Sequence, residues 1–218
     1  MTSNCQFAII KDTDGYVNVR DSSGMIGKVV DTLKNGHLVY AFGEDGEQWI
    51  GVDYKKNNHP MFGYVHISRL QFIDQFNKIT PLKTLNTSLF FKWDHIGLSI
   101  SKIPFNPLIH HFKYAKNDSL NPTGKFLTEI DDHVVWGTDG EMPQFQYGKI
   151  ELTIGDKTFV LSSVDLYNPN LEFTAVNYDA SNHTIFIHAI NSDGAGSYAV
   201  VWVVRNSTLV QRWVTMPF

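Results

Sequence analysis

A single cysteine, Cys5, in 218 residues rules out an internal disulfide and a thiolate zinc cage, and gives no sign of an oxidising compartment. Long apolar runs are also missing. Ala199 to Val204 spans six residues, against the roughly 20 needed to cross a bilayer, and Met1 to Lys11 has neither a basic start nor an apolar stretch before a small-residue cleavage site. The expectation is a cytoplasmic chain with no membrane association. Charged residues make up only 18% of the sequence, the formal net charge is −4 and the pI is near 6.1. Nucleic-acid binding by phosphate neutralisation needs clustered Lys and Arg, so that class is excluded. With 43% hydrophobic and 13% aromatic residues, the chain has enough apolar material for one large or two small cores.

Helical periodicity is almost absent. Short β-branched or aromatic runs with period-two alternation recur instead between Gly, Asn, Asp and Pro, which predicts an all-β protein. In the first third, strands are expected near Phe7–Lys11, Tyr16–Arg20, Lys28–Leu33, His37–Gly43, Gln48–Tyr54 and Phe62–His66. Asp14-Gly15, Ser23-Gly24, Asn35-Gly36 and Asp45-Gly46 separate them, and such pairs supply the positive φ that tight hairpins require. Val17 and Val19 alternate inward, and with Val29, Leu33 and Val39 they would fill a small barrel; Gly63 suits a close approach of two backbones. From Ile73 to Leu89 the pattern loosens around Pro81, predicting a connection between a domain over residues 1–78 and a second over 79–218. Alternation returns at Ile96, Leu98 and Ile100, at Ile150, Leu152 and Ile154, and at Ile185, Ile187 and Ala189. Buried strands follow at Tyr198–Val204 and Leu209–Val214, with Gly155-Asp156 and Asn206-Ser207 as turns. With no helix to cover a parallel sheet, the second domain is expected to be an antiparallel β-sandwich.

The segments DGYVNVR (Asp14–Arg20), GKVVDTLKNG (Gly27–Gly36), EQWIGVDY (Glu47–Tyr54) and GYVHISRL (Gly63–Leu70) resemble a bacterial SH3 domain over about residues 5 to 73. The resemblance implies a non-catalytic module that binds peptides or cell-wall fragments in a shallow aromatic groove. Here Tyr16, Trp49, Tyr54 and Tyr64 would supply the rings, with Asp14 and Asp45 at the loop ends. A barrel this small also has use for Trp49 and Tyr64 in its core. Wall-binding members of that family are generally exported, whereas no export signature is visible here. WGTDGEMP (Trp136–Pro143), DLYNP (Asp165–Pro169) and SDGAGSYAVVW (Ser192–Trp202) more weakly resemble uncharacterised bacterial β-sandwich proteins, a likeness that implies no activity.

Catalytic patterns are sparse. Cys5 has no preceding helix or pocket to lower its pKa. No G-x-S-x-G elbow exists, since Gly194-Ala195-Gly196-Ser197 has the wrong spacing and leads into a strand. The nine histidines include His95, His110, His111 and His133, but none falls in a spacing that forces ligands onto one face, so no metal and no cofactor are expected. Asp139, Glu141 and Asp193 sit in loops that could pair carboxylates for glycoside hydrolysis, but Asp before Gly is ordinary turn chemistry.

Charge placement says more. From Phe126 to Val204 eleven acids face two lysines, a local net of −9, while Leu82 to Lys125 carries +4. Such asymmetry can steer a cationic partner, although the same acids also serve solubility. Asp131, Asp132, Asp139, Glu141 and Asp193 with Trp136 are the candidate contact residues, beside Met142, Phe145 and Tyr147. The expectation is a non-enzymatic protein that binds a basic protein partner, most specifically an immunity-type inhibitor masking a bacterial toxin such as a nuclease. The alternatives are a cell-wall peptide-binding module beside a passive sandwich, and a hydrolase using loop carboxylates or a histidine metal site.

Overall fold

The computed structural model of the protein describes residues 5–44, 46–116 and 125–217. It is all-β: a curled half-barrel and several further antiparallel sheets in a sandwich-like arrangement. Two compact units emerge, Met1–Asn77 with Pro217–Phe218, and Lys78–Met216. The Tyr40 hydroxyl donates to the Pro217 carbonyl oxygen at 3.1 Å within the first unit.

The first unit holds β1 (Gln6–Ile10), β2 (Tyr16–Arg20), β3 (Val29–Lys34), β4 (Leu38–Phe42), β5 (Trp49–Lys56), β6 (His59–His66) and β7 (Leu70–Phe72), in the order β3-β2-β6-β5-β4-β1-β7. Alternation sends Ala8, Ile10, Val17, Val19, Leu33, Val39, Val52, Tyr54 and Val65 into one core. Val29, expected inside, is 50% exposed on the edge strand β3. A bulge between Val19 and Arg20 shifts the register there, so the parity read from Leu33 does not carry to Val29. Gly63 sits where β6 meets β2; a Cβ there would lie 2.3 Å from Val19 Cγ1 and 2.9 Å from the Arg20 carbonyl oxygen. The β5–β6 hairpin turns on Asn57 and Asn58, both left-handed at φ +51° and +66°, a two-residue turn that Asn tolerates well.

The second unit contains β8 (Asn77–Ile79, shared with the boundary), β9 (Pro81–Leu85), β10 (Ser88–Trp93), β11 (Ile96–Pro104), β12 (Phe112–Tyr114), β13 (Leu127–Ile130), β14 (His133–Val134), β15 (Phe145–Ile154), β16 (Lys157–Val160), β17 (Thr174–Asp179), β18 (Thr184–Asn191), β19 (Tyr198–Arg205) and β20 (Thr208–Thr215). Two five-stranded sheets, β16-β15-β11-β10-β9 and β20-β19-β18-β17-β8, close on one core. Register matches the sequence pattern, with Ile96, Leu98 and Ile100 opposite Ile154, Leu152 and Ile150. Trp202 fills the centre; its Nε1–H donates to the Ser162 carbonyl at 2.8 Å, and Tyr147 meets its ring edge-on. The ribbon β12-β13-β14 has a small core of its own around Phe105, Leu127, Ile130 and Tyr167.

The stretch from Ile73 to Leu89, expected as a loose connection, instead carries β8, β9 and the start of β10. All five residues of β9 are exposed, so no hydrophobic alternation betrays the strand, and Pro81 is tolerated at the start of a sheet edge.

Candidate functional site

On β2, Val17 and Val19 point to the core, so Tyr16, Asn18 and Arg20 point outward. The Asn57-Asn58 turn fixes the β5–β6 register and sets Trp49 directly opposite His66. Their rings meet edge-on at 5.5 Å, and the Arg20 guanidinium lies over the Trp49 ring at 5.6 Å. Arg20 Nη1 also donates to the Gly27 carbonyl at 2.5 Å, tying the loop after β2 to the same wall. Beyond β6 the 3-10 turn Ile67–Arg69 is capped by His66, whose Nδ1 accepts from the Ser68 amide at 3.3 Å and lies 2.8 Å from the Ser68 hydroxyl. Arg69 then reaches Asp12 in an ion pair. The Asp14 amide, foremost, and Arg69 hold the Asp12 carboxyl below the usual range.

These groups enclose a cleft of about 310 Å³. Tyr16, 47% exposed, and the exposed Asp14 and Asn18 line it from β2 and the turn before it; Trp49, His66, Ser68 and Arg69 line it from β5, β6 and the turn that follows. The cleft therefore offers two aromatic rings, a phenol, a free carboxylate and a guanidinium placed over one of the rings. That set suits stacking and directional hydrogen bonds to a polar, partly apolar ligand. The His66–Ser68 contact caps a turn two residues away, and among the described residues no carboxylate orients that imidazole as a base.

Of the groove residues expected from the sequence, Asp14, Tyr16 and Trp49 line this one cleft, and Tyr54 and Tyr64 do not. Tyr54 is 1% exposed, and its hydroxyl donates to Asp31 Oδ2 at 3.1 Å while Lys56 pairs with the same carboxylate. Burial and that carboxylate push its phenol up to about 12. Tyr54 is core because it follows Val52 in the inward set. Tyr64 is half-buried in a separate outward row, edge-on to Phe62, which stacks on Phe42 at 5.7 Å. Gly51 makes that stack fit, since a Cβ there would lie 2.7 Å from the Phe42 ring. Asp45 lies outside the described residues.

In the second unit the candidate acids separate into two groups. Asp131 and Asp132 form the β13–β14 turn at φ +51° and +65°. Asp131 accepts from the His111 amide at 2.8 Å and from His110 Nδ1 at 2.6 Å, and Lys113 bridges Asp132 at 2.8 Å and Glu129 at 2.7 Å. Both turn carboxyls are held below their ordinary range, Asp131 by the His111 amide first and Asp132 by Lys113. Glu151 pairs with Lys149, Asp165 pairs with Arg212, and Asp179 is buried as the acceptor for Ser181 and Asn182.

Asp139, Glu141 and Asp193 remain exposed. Their loops are drawn together by glycines: a Cβ on Gly196 would lie 2.8 Å from the Thr138 carbonyl carbon, and one on Gly137 2.2 Å from the Tyr167 carbonyl oxygen. Asn168 Nδ2 and the Ser192 hydroxyl both donate to the Gly137 carbonyl. Trp136, expected as an anchor, is half-buried against the sandwich core, and Tyr147 is part of that core. Lys102 sits over the Phe145 ring at 5.2 Å.

His110 stacks on Phe105 at 4.8 Å, and its buried Nε2 has no hydrogen-bond partner. Among the described residues no group of three or more His, Cys, Asp or Glu is placed to hold a metal ion. Compared with known proteins, the chain matches no family model, no curated protein and no solved structure.

The alternating outward set of β2 and the 57–58 turn were the available signals for Arg20, Asn18 and His66. Arg69 and Asp12 carry no such signal, because their pairing joins chain segments far apart in sequence.

Proposed function

We propose that the protein is a non-enzymatic binding protein whose first unit takes an extended peptide, of the kind found in bacterial cell walls, into the Tyr16–Trp49 cleft. The observation that carries this reading is the convergence of Tyr16, Asp14, Arg20, Trp49 and His66 on one open cleft. The resemblance of Asp14–Arg20, Glu47–Tyr54 and Gly63–Leu70 to bacterial SH3 domains supports it. Trp49, steadied by Arg20 and His66, offers a ring at little entropic cost, and Tyr16 and Asp14 offer a donor and an acceptor for main-chain amides. The full chain should be retained on purified peptidoglycan sacculi. Tyr16→Ala or Trp49→Ala should cut retention at least about tenfold with the unfolding midpoint preserved. Absence of retention, or retention indifferent to both changes, overturns this function.

A second reading, an immunity-type inhibitor of a basic toxin, draws support from Asp139, Glu141 and Asp193, whose loops meet with their carboxylates exposed. Asp131 and Asp132 support it less, being engaged by His110 and Lys113. Under that reading the triple neutralisation of Asp139, Glu141 and Asp193 slows association with a cognate toxin and removes its salt dependence.

A further inference from the structure

The half-barrel carries a second cleft, of about 290 Å³, that the function above does not use. Its floor is apolar: Ile50, Ile67, which is 37% exposed, and Phe72. Gly43 brings its backbone tight against that floor, where a Cβ would lie 2.5 Å from Ile50 Cγ2. The exposed Glu44 and Asp74 stand at the rim with the amides of Gln6 and Gln75, and among the described residues no Lys, Arg or His lines the cleft. The neighbouring Glu47 carboxylate is already committed, folded back to accept from the Glu44 amide at 3.1 Å. Gln75 Oε1 accepts from the Phe72 amide at 3.2 Å, which fixes the orientation of the Gln75 side chain and leaves its NH₂ group as a donor.

An apolar floor beneath an uncompensated anionic rim asks for an aliphatic stem ending in a cation. Lysine has that form: four methylenes that pack on isoleucine and phenylalanine, and a compact ammonium that stays at the wet edge between two carboxylates. The rim amides can in addition satisfy the flanking main chain, which a free amine lacks. We propose that this cleft binds the side chain of a lysine presented by an extended peptide. The site is distinct from the Tyr16–Trp49 cleft although the two share a hairpin, with Trp49 and His66 lining one and their chain neighbours Ile50 and Ile67 lining the other.

The test is a titration of the isotopically labelled full chain with the capped tripeptide Gly-Lys-Gly, its side chain free, followed by amide shifts. Saturable shifts at Gly43, Ile67 and Gln75 are expected. The matching norleucine tripeptide should bind at least about tenfold more weakly, because only the ammonium is lost. The double variant Glu44→Gln, Asp74→Asn should lose a similar factor for the lysine peptide and none for norleucine, while Asp156→Asn, an equal-sign charge change elsewhere, should lose nothing. Equal binding of the two tripeptides, or full lysine binding by the double variant, overturns the proposal. Binding of 1,5-diaminopentane as tight as that of the lysine tripeptide overturns the peptide part of it and assigns the cleft to free amines.

Discussion

The half-barrel cleft and the acidic loops of the sandwich are assembled in contrasting ways. In the half-barrel, rings and guanidinium come from strands, so alternation and hairpin register fix them within one rigid sheet. In the sandwich, Asp139, Glu141 and Asp193 come from loops whose approach depends on glycines without a Cβ. Charge behaves differently too. Of the eleven acids between Phe126 and Val204, Glu129, Asp131, Asp132, Glu151 and Asp165 are in ion pairs and Asp179 is buried in a turn, so more than half of the counted charge is already met within the unit. Charge summed along a chain therefore overstates the charge a surface presents.

The sharpest way to break this contrast is Gly137→Ala. Its φ of +104° disfavours any side chain, and the added methyl would meet the Tyr167 carbonyl oxygen at 2.2 Å. A loss of more than about 3 kcal/mol in denaturant unfolding is expected. Gly194→Ala, at φ +52° with open space around it, should cost only about 1 kcal/mol. Equal effects would mean that close packing does not hold these loops.

Next in size is an acid response seated in the sandwich sheet. Burial of His188, whose Nε2 lies 2.9 Å from Asn177 Oδ1, pulls its imidazole down to about 4 from an ordinary value of 6.5. The folded state holds it neutral while the unfolded chain takes up a proton near 6.5. This contribution is therefore fully present above about pH 6.5 and is lost as the pH falls toward 4, up to roughly 3 kcal/mol in all. Unfolding titrations at pH 7, 5.5 and 4.5 should show wild type losing more stability than His188→Gln over that interval. Parallel losses would place the acid sensitivity elsewhere.

The smallest effect sharpens the electrostatic half of the contrast. Lys113→Met should leave the unfolding midpoint unchanged, because exposed ion pairs contribute little. It should nevertheless release Glu129 and Asp132 and deepen the salt dependence of any association with a basic protein. A lower midpoint would show that the ribbon needs this bridge.

Much of the fold was legible because alternation and turn chemistry are local. Ile96–Ile100 and Ile150–Ile154 announce facing strands, and Asn206-Ser207 does turn between β19 and β20, both residues left-handed. What escaped was either uniformly exposed, as in β9, or shifted by a bulge, as at Val29. The cleft was half legible. Tyr16 and Trp49 stand out as aromatics, whereas Tyr54, two residues after the inward Val52, is a core ring that aromatic character alone does not distinguish from a groove ring. The Asp131 and Asp132 partners, His110 and Lys113, lay beyond sequence reasoning because they act across a ribbon whose pairing no short-range pattern announces.

The two-residue turn at Asn57-Asn58 sets a length rule for the gene. Adding or deleting one codon between Trp49 and His66 would rotate one strand's pleat by half a period, sending Tyr64 and His66 inward and Val65 outward. Length variation in this hairpin should therefore arise in steps of two or not at all, whereas a single residue added beside Met25 and Ile26, outside any strand pairing, alters no register.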